Sequence, residues 1–539
     1  LQYRSVIGAD LGDGILDADS TDVEIIVGMY RQRKFADALQ ETNSRLEVCP
    51  DSSQLYNIQG MINIALKQDD EAILSFNNAI KRDASHATAH YNLGVLLRRK
   101  GRFKESVESY KKAIHTNPGY VQAHNNLGTL LKDQGKYKEA IDCCKKAVKL
   151  KPNHYTAYYN MGLTYLNLSN NKEATSAFKK AVDIQPNHTL SLNSLAEVMH
   201  LTGKTNEAIE ILKKIIKIKP DFDKAYFNLS LMKLIFLNFK EGWQQYEYRW
   251  KVKPFREVKW PFAREEMWNN EEGKRVSLWK EQGIGDEIIF LGLVPEAKER
   301  SQSLAVYIDP RLVPLCERSM PGIKFFGDTK EFEKQAFDYH MPMGSLPRLF
   351  RSDIKDFDRT AHGYLKADKL RVDILRREMG LEDKRVIGIS WKSIRSLTTS
   401  KKSMMLKDFG MMFKGIDVVL LNLQYGDVQE EIDEFTQATG IEILQCESVD
   451  NREDLDGLAA LIELCDLVVS TSNITIHLAG ALGKETWVLL PYVANFWWLL
   501  DRTDSIWYPA LRLYRQKTLD DWGGVLSNIN KDLQKKFGE

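Results

Sequence analysis

The sequence is short of several things at once. Its six cysteines, Cys49, Cys143, Cys144, Cys316, Cys446 and Cys465, are too few for a disulfide scaffold in 539 residues. None forms a C-x-x-C pair or joins a Cys/His cluster, which excludes the usual structural zinc site. No uncharged apolar run reaches the roughly 18 residues that a membrane-spanning helix needs. Fifteen prolines and 33 glycines do not make a collagen-like or low-complexity chain. Net charge is scarce too: 75 basic and 74 acidic residues leave +1. That excludes a chain built wholly as a polycation for nucleic acid, but not a local basic face. Unpaired cysteines and no span point to the cytoplasm. The chain opens on Leu1, so the lack of a leader-like pattern in residues 1–18 excludes nothing.

What is present is unevenly spread. Residues 81–220 carry 24 basic and 11 acidic residues, while all 11 tryptophans lie at or beyond Trp243. An internal repeat explains the first part. Gly60, Gly94, Gly128 and Gly162 recur every 34 residues, as do Ala72, Ala140, Ala174 and Ala208, with Ser106 in the gap. Pro118, Pro152, Pro186 and Pro220 keep the same period, Pro50 is in phase, and Ala84 interrupts the series. Two amphipathic helices fit each period, for example Ala123–Lys132 and Tyr137–Leu150. Small residues let the two helices cross closely, and proline ends the second. The pattern resembles tetratricopeptide repeats and implies about seven units over residues 19–256, stacked as a solenoid with a concave groove.

Asn92, Asn126, Asn160 and Asn228 share one phase of this period, with Ser194 in the gap. Asparagine is a mediocre helix former, so the series wants a reason. One reason is hydrogen bonding between repeats. The other is a row of carboxamides that binds an extended peptide backbone by donating to it and accepting from it. In the second sense the series resembles the asparagine ladder of the nucleocytoplasmic protein O-GlcNAc transferases, which implies a protein or peptide partner. The basic excess would favour acidic segments, or it is simply a solvated outer face.

After residue 270 short apolar runs alternate with helical ones. The expected strands are Arg275–Trp279, Leu304–Ile308, Ile323–Phe326, Arg385–Ser390, Val418–Leu423, Leu467–Ser470 and Trp487–Leu490. Glu287–Arg300 and Gly426–Thr439 are expected helices between them. This alternation predicts two parallel sheets covered on both faces, with ligands at the strand C-termini. The predicted organisation is an extension over 1–18, the solenoid, a junction over 257–273, one α/β lobe over 274–368, a connection over 369–383 and a second lobe over 384–539. The loop Gln282-Gly283-Ile284-Gly285-Asp286-Glu287 follows the first strand. It lacks the full G-x-G-x-x-G of a dinucleotide site, and its acid would repel a phosphate. Asp286 suits a base facing a neutral hydroxyl, or it caps the next helix. Ser470-Thr471-Ser472-Asn473 leads into another helix, whose free amides could hold a pyrophosphate. His477 lies on its first turns, as a ligand contact or as neutral packing.

Four spaced stretches carry a more specific resemblance: Trp279 to Glu287, Val386 to Trp391, His477 to Lys484, and Trp507 to Gln516. Residues 274–530 resemble the heptosyltransferase-like glycosyltransferases, in the branch of bacterial proteins that joins tetratricopeptide repeats to such a domain. Gly242-Trp243, Tyr246 and Arg249-Trp250 resemble that family's junction. The resemblance implies a two-lobed GT-B fold of twin Rossmann-like domains. It implies transfer of a sugar from a nucleotide-activated donor to a protein, with a Ser or Thr hydroxyl as acceptor and flagellin or another surface protein as substrate. It makes Asp286 the general base and Lys402, then Lys401, the phosphate-neutralising residue, with Lys392 as a third candidate. Gly285, Ser390, Trp391, Lys392, Ser472, Asn473, Thr475 and His477 would handle the donor, without metal or other cofactor.

The chain also departs from the pattern. Ser472-Asn473-Ile474 stands where relatives carry Asp-Thr-Ser, and Asn495-Phe496-Trp497-Trp498 where they carry Asp and Arg around the aromatic pair. Trp497, Trp498 and Trp507 are either core or a stacking platform. Two alternatives therefore stand beside the leading one: a transferase acting on a lipid or saccharide, and a non-catalytic scaffold with a degenerate transferase domain. The sugar, the nucleoside and the stereochemical outcome stay open, and solenoid ends that pair would make a homo-oligomer.

Overall fold

The computed structural model describes residues 20–262, 266–281, 283–359, 363–393 and 404–538. The chain forms two compact units, one ending at Val198 and one beginning at Met199.

The first unit is built of helical hairpins. Helices Phe103–Thr116 and Tyr137–Leu150 each follow a shorter partner, Ala87–Arg99 and Val121–Asp133, and the same pairing recurs from Ser20 onward. The glycine period has a steric cause. A Cβ at Gly60 would lie 2.5 Å from the Phe76 ring, and one at Gly162 would lie 2.6 Å from the Phe178 ring. Gly60, Gly94 and Gly162 each admit the aromatic ring that the second helix of the hairpin lays across the first, while at Gly128 Cys144 takes that place. The hairpins continue past the unit boundary to Tyr246, close to the expected solenoid end. Those beyond Met199 belong to the second unit, because Leu234, Ile235, Phe239, Trp243 and Tyr246 are buried in one core with its strands.

Two parallel sheets make up the rest of the second unit. Strands β1 (Lys274–Trp279), β2 (Ser301–Tyr307), β3 (Lys324–Phe326) and β4 (Tyr339–Pro342) form the first, in the order β3-β2-β1-β4. Strands β5 (Val386–Ser390), β6 (Val419–Asn422), β7 (Ile443–Leu444), β8 (Leu467–Thr471), β9 (Thr486–Leu490) and β10 (Leu511–Arg515) form the second, in the order β10-β9-β8-β5-β6-β7. The seven expected strands are all present, while β4, β7 and β10 were not legible. The expected helix over 287–300 is two helices, Ile284–Leu291 and Val294–Arg300, separated at Gly292-Leu293. Continuous burial along β5, β8 and β9 is what parallel strands covered on both faces require.

The two sheets are stitched together. Tyr364 and Leu365 donate their backbone N–H groups to the Ala481 carbonyl. Arg318 pairs with Asp456, and Arg371 with Asp454. Among the described residues no helix is long and apolar enough to cross a membrane.

Candidate functional site

A cleft of about 580 Å³ lies at the C-terminal ends of the strands of both sheets. Gly283, Gly285 and Asp286 wall it from the first sheet, and Ser472, Asn473 and His477 from the second. The contact is close: a Cβ on Gly285 would lie 3.0 Å from Cδ2 of His477. Without a side chain, Gly285 lets the chain after β1 pass close to the imidazole.

The loop turns into the helix Ile284–Leu291, which is capped at Gly283 rather than at Asp286. Asp286 therefore sits in the first turn, inside the cleft. It also lies near enough to Tyr508 to help raise that phenol, after burial, well above its ordinary pKa. Glu287 is the residue that sequence reasoning missed. It is buried, lines the same cleft and accepts the Asp309 N–H at 2.8 Å. Burial pushes its carboxyl up to about 7, against the pull of Lys280. Two adjacent carboxylates thus meet different environments. Periodicity cannot reveal this, because the residues that bury Glu287 come from elsewhere in the chain.

The second wall is a hydrogen-bonded floor. Asn473 caps the helix Ile474–Leu482 by accepting from the Thr475 N–H at 3.0 Å. Its Nδ2 donates to Ser390 Oγ at 2.6 Å. Ser390 donates in turn to Gln424 Oε1, which also accepts the N–H groups of Trp391 and Lys392 at 2.9 Å each. Gln424, invisible to motif reading, holds the end of β5 against β6. His477 stacks on Trp498 with centroids 5.5 Å apart and contacts the Tyr508 hydroxyl at 3.3 Å. Trp498 donates to Ser472 Oγ at 3.0 Å.

The expected donor residues therefore divide. Gly285, Ser472, Asn473 and His477 line the cleft. Ser390, Trp391 and Thr475 are fully buried and lie beneath its surface, a correction to their expected direct contact. Trp391 sits in the core of the second sheet, with its Nε1 donating to Glu431. Lys392 spends its charge on the same Glu431. Lys401 and Lys402 lie outside the described residues. The cations that do line the cleft are Lys280, Arg311 and Arg452, of which Arg311 leans on Asp309 at 2.8 Å. Asn451 also lines it, and its Oδ1 is a buried acceptor without a partner among the described residues. Trp497 and Trp507 are buried with Trp243 in one aromatic cluster, which places them in the core, although Trp497 reaches the cleft wall.

The asparagine series has definite partners. Asn92 donates to Asn57 Oδ1 at 3.0 Å, Asn126 to the Tyr91 hydroxyl at 3.1 Å, and Asn160 to Asn125 Oδ1 at 2.9 Å and Thr129 Oγ1 at 3.0 Å. Each partner belongs to the preceding repeat, and Asn92 is buried. This revises the expectation of an open amide ladder: stacking sets residues 57, 91 and 125 beneath these amides, and the repeats use the donors themselves. Asn228 belongs to the second unit and is half-buried.

Comparison with known proteins agrees with the repeat reading. Tetratricopeptide repeat models match residues 68–121, 121–154, 155–188 and 191–222. A homologue, Protein FlbA of Caulobacter vibrioides, is 29% identical over 318 residues, which are 54% of this chain and 52% of that protein. The chain thus spans about half the length of the curated relative it matches. Among solved structures, YrrB, described as a TPR protein with an unusual peptide-binding site, is 24% identical, with 35% of this chain and 96% of that one covered at a TM-score of 0.31. PilF of Pseudomonas aeruginosa is 19% identical, with 38% and 95% covered at a TM-score of 0.35. The chain carries tetratricopeptide repeats, a class of protein-binding repeat, followed by a region of parallel sheets.

Proposed function

We propose that this protein is a glycosyltransferase that moves a sugar from a nucleotide-activated donor to a Ser or Thr hydroxyl of a polypeptide recruited by the repeats. One observation carries the reading. Gly285 against His477 brings the helix start that bears Asp286 and the helix start that bears Asn473 to the same cleft. Transfer needs those two functions side by side.

Asp286 takes the proton of the acceptor hydroxyl while the oxygen bonds the sugar's anomeric carbon. The bond from that carbon to the donor phosphate breaks, and its electron pair leaves with the nucleoside diphosphate. The free amides at the start of the helix Ile474–Leu482, with Lys280 and Arg311 on the facing side, offset the growing phosphate charge. The unpartnered Asn451 Oδ1 suits a hydroxyl or amine of the donor. No step runs through Lys392, which does not line the cleft.

Asp286→Asn is expected to bind donor within about twofold of the parent and to lose transfer by roughly a hundredfold or more. Assays of donor turnover with a protein acceptor check this, and undiminished transfer removes Asp286 from the base role. A second reading has its own support. Trp391 and Lys392 are committed elsewhere, and Ser472 replaces the acid of relatives, as befits a binding scaffold. In that case no nucleotide sugar binds the folded protein.

A further inference from the structure

A second concavity, of about 800 Å³, opens at the C-terminal ends of β9 and β10 and shares no lining residue with the cleft. Arg502, Arg512, Arg515, Lys517, Lys531 and Lys535 line it, against only Asp501 and Asp532. In a chain whose net charge is +1, this is a strong local excess of one sign. The acids are largely used. Asp532 pairs with Arg512 at 2.6 Å and Lys535 at 3.6 Å and accepts from the Tyr514 hydroxyl at 2.9 Å. Arg502 is held by Asp504 outside the concavity. Lys517, Lys531 and Arg515 have no ion pair among the described residues.

Arg515 is the unusual member. Its Nη2 donates to the carbonyls of Trp498 and Leu499 at 2.9 Å each. Its Nε and Nη1 are buried without a hydrogen-bond partner. Idle donors on a guanidinium are costly, and a phosphate that met Nε or Nη1 would complete a two-pronged fork only with Nη2, which must then leave its carbonyls. The stretch that Arg515 pins is strained. Leu499 has φ 50° with ψ −163°, in the positive-φ region that L-residues other than Asn and Asp rarely enter, and Asp501 follows at φ 52°. Asn495 and Trp497 of this stretch face the cleft, Leu500 to Thr503 face the concavity, and Trp498 stacks on His477.

We propose that this concavity is a separate binding site for a soluble phosphate-bearing anion, and that filling it draws Arg515 from the Trp498 and Leu499 carbonyls and so shifts the cleft wall. The ligand is a small, free anion, since the cations converge on a hollow. The site is independent of the chemistry assigned to the cleft, because its first readout is binding.

The test titrates inorganic pyrophosphate into the full chain by calorimetry and follows tryptophan fluorescence in parallel. The expected result is saturable binding that persists when the phosphate-holding helix start of the cleft is impaired by Asn473→Ala, and whose filling changes the fluorescence. The Lys517→Glu/Lys531→Glu double variant alters only exposed side chains, and it should weaken binding by roughly tenfold or more. Asn473→Ala, in the cleft, should leave the affinity within about twofold. Unchanged affinity in the double variant, or its loss in Asn473→Ala, places the ion elsewhere and overturns the site. So does an equal heat from sulfate at matched ionic strength, or no saturable binding at all. Binding with unchanged fluorescence overturns the link to the cleft wall.

Discussion

Glu287 stands one residue beyond the proposed base, and burial is the largest cause that takes its carboxyl out of the ordinary range. With its pKa raised from the ordinary carboxylate range to about 7, Glu287 holds its proton more tightly in the folded chain than in the unfolded one. Its contribution to stability is complete below the unfolded value near 4.5 and is lost as pH rises through about 7. Glu287→Gln should remove this dependence. Between pH 5 and 8 the parent should lose up to about 3 kcal/mol relative to the variant, as read by denaturant unfolding at each pH. Parallel pH profiles for the two proteins would count against a buried, titrating Glu287. Gly285→Val is the companion test at this scale. The added Cβ meets His477 and the branches go further, so the loop should retreat and donor affinity should fall by roughly tenfold or more at near-parent stability. Asp286 was legible from its Gly-x-Gly loop. Glu287 and Gln424 were not, since what defines them is the side chains that fold over them.

Among the elements, the helical hairpins show how much a period conveys and where it stops. Spacing located the glycines and the helices, because each hairpin crosses closely at a small residue of its first helix, where Phe76, Tyr110 and Phe178 lie on Gly60, Gly94 and Gly162 and Cys144 lies on Gly128. Gly162→Leu should therefore cost roughly 2–4 kcal/mol through overpacking on Phe178, measured as a lower unfolding midpoint of the repeat unit. The same period placed the asparagines and left both readings of them open, and the contacts of Asn92, Asn126 and Asn160 are those of hydrogen bonding between repeats.

A third periodic feature went unread. Nδ1 of His86 accepts the Ala89 N–H, that of His154 the Ala157 N–H, and that of His188 the Ser191 N–H, at 3.2 to 3.3 Å. An imidazole accepts there only while neutral, and burial lowers all three pKa values. Their folded values lie below the unfolded one near 6.5, so stability is complete above that pH and falls as pH drops through it. Replacing the three histidines by asparagine, a cap that does not titrate, should flatten the decline in helix stability between pH 7 and 5. The expected difference is about 1 kcal/mol per cap, followed by circular dichroism in denaturant. An unchanged slope would show that the caps do not titrate in this range.

For the molecule as a whole, the change of periodicity near residue 270 made the order of solenoid and parallel sheets readable. It did not reveal that the hairpins beyond Met199 join the core of the sheets, because that depends on Trp243 and Tyr246 meeting Phe496 and Trp497 across some 250 residues of chain. Strand β10 was equally hidden: its Leu511–Arg515 mixes apolar with basic residues and resembles a surface segment until β9 pairs with it. The central claim is that the cleft between the two sheets binds a nucleotide-activated sugar and transfers it. Calorimetric titration of a panel of nucleotide sugars into the full chain, with Asn473→Ala as the cleft control, tests it most directly. The account predicts saturable binding of at least one donor, weakened by roughly tenfold or more in the control; a folded protein that binds no member of the panel would contradict it.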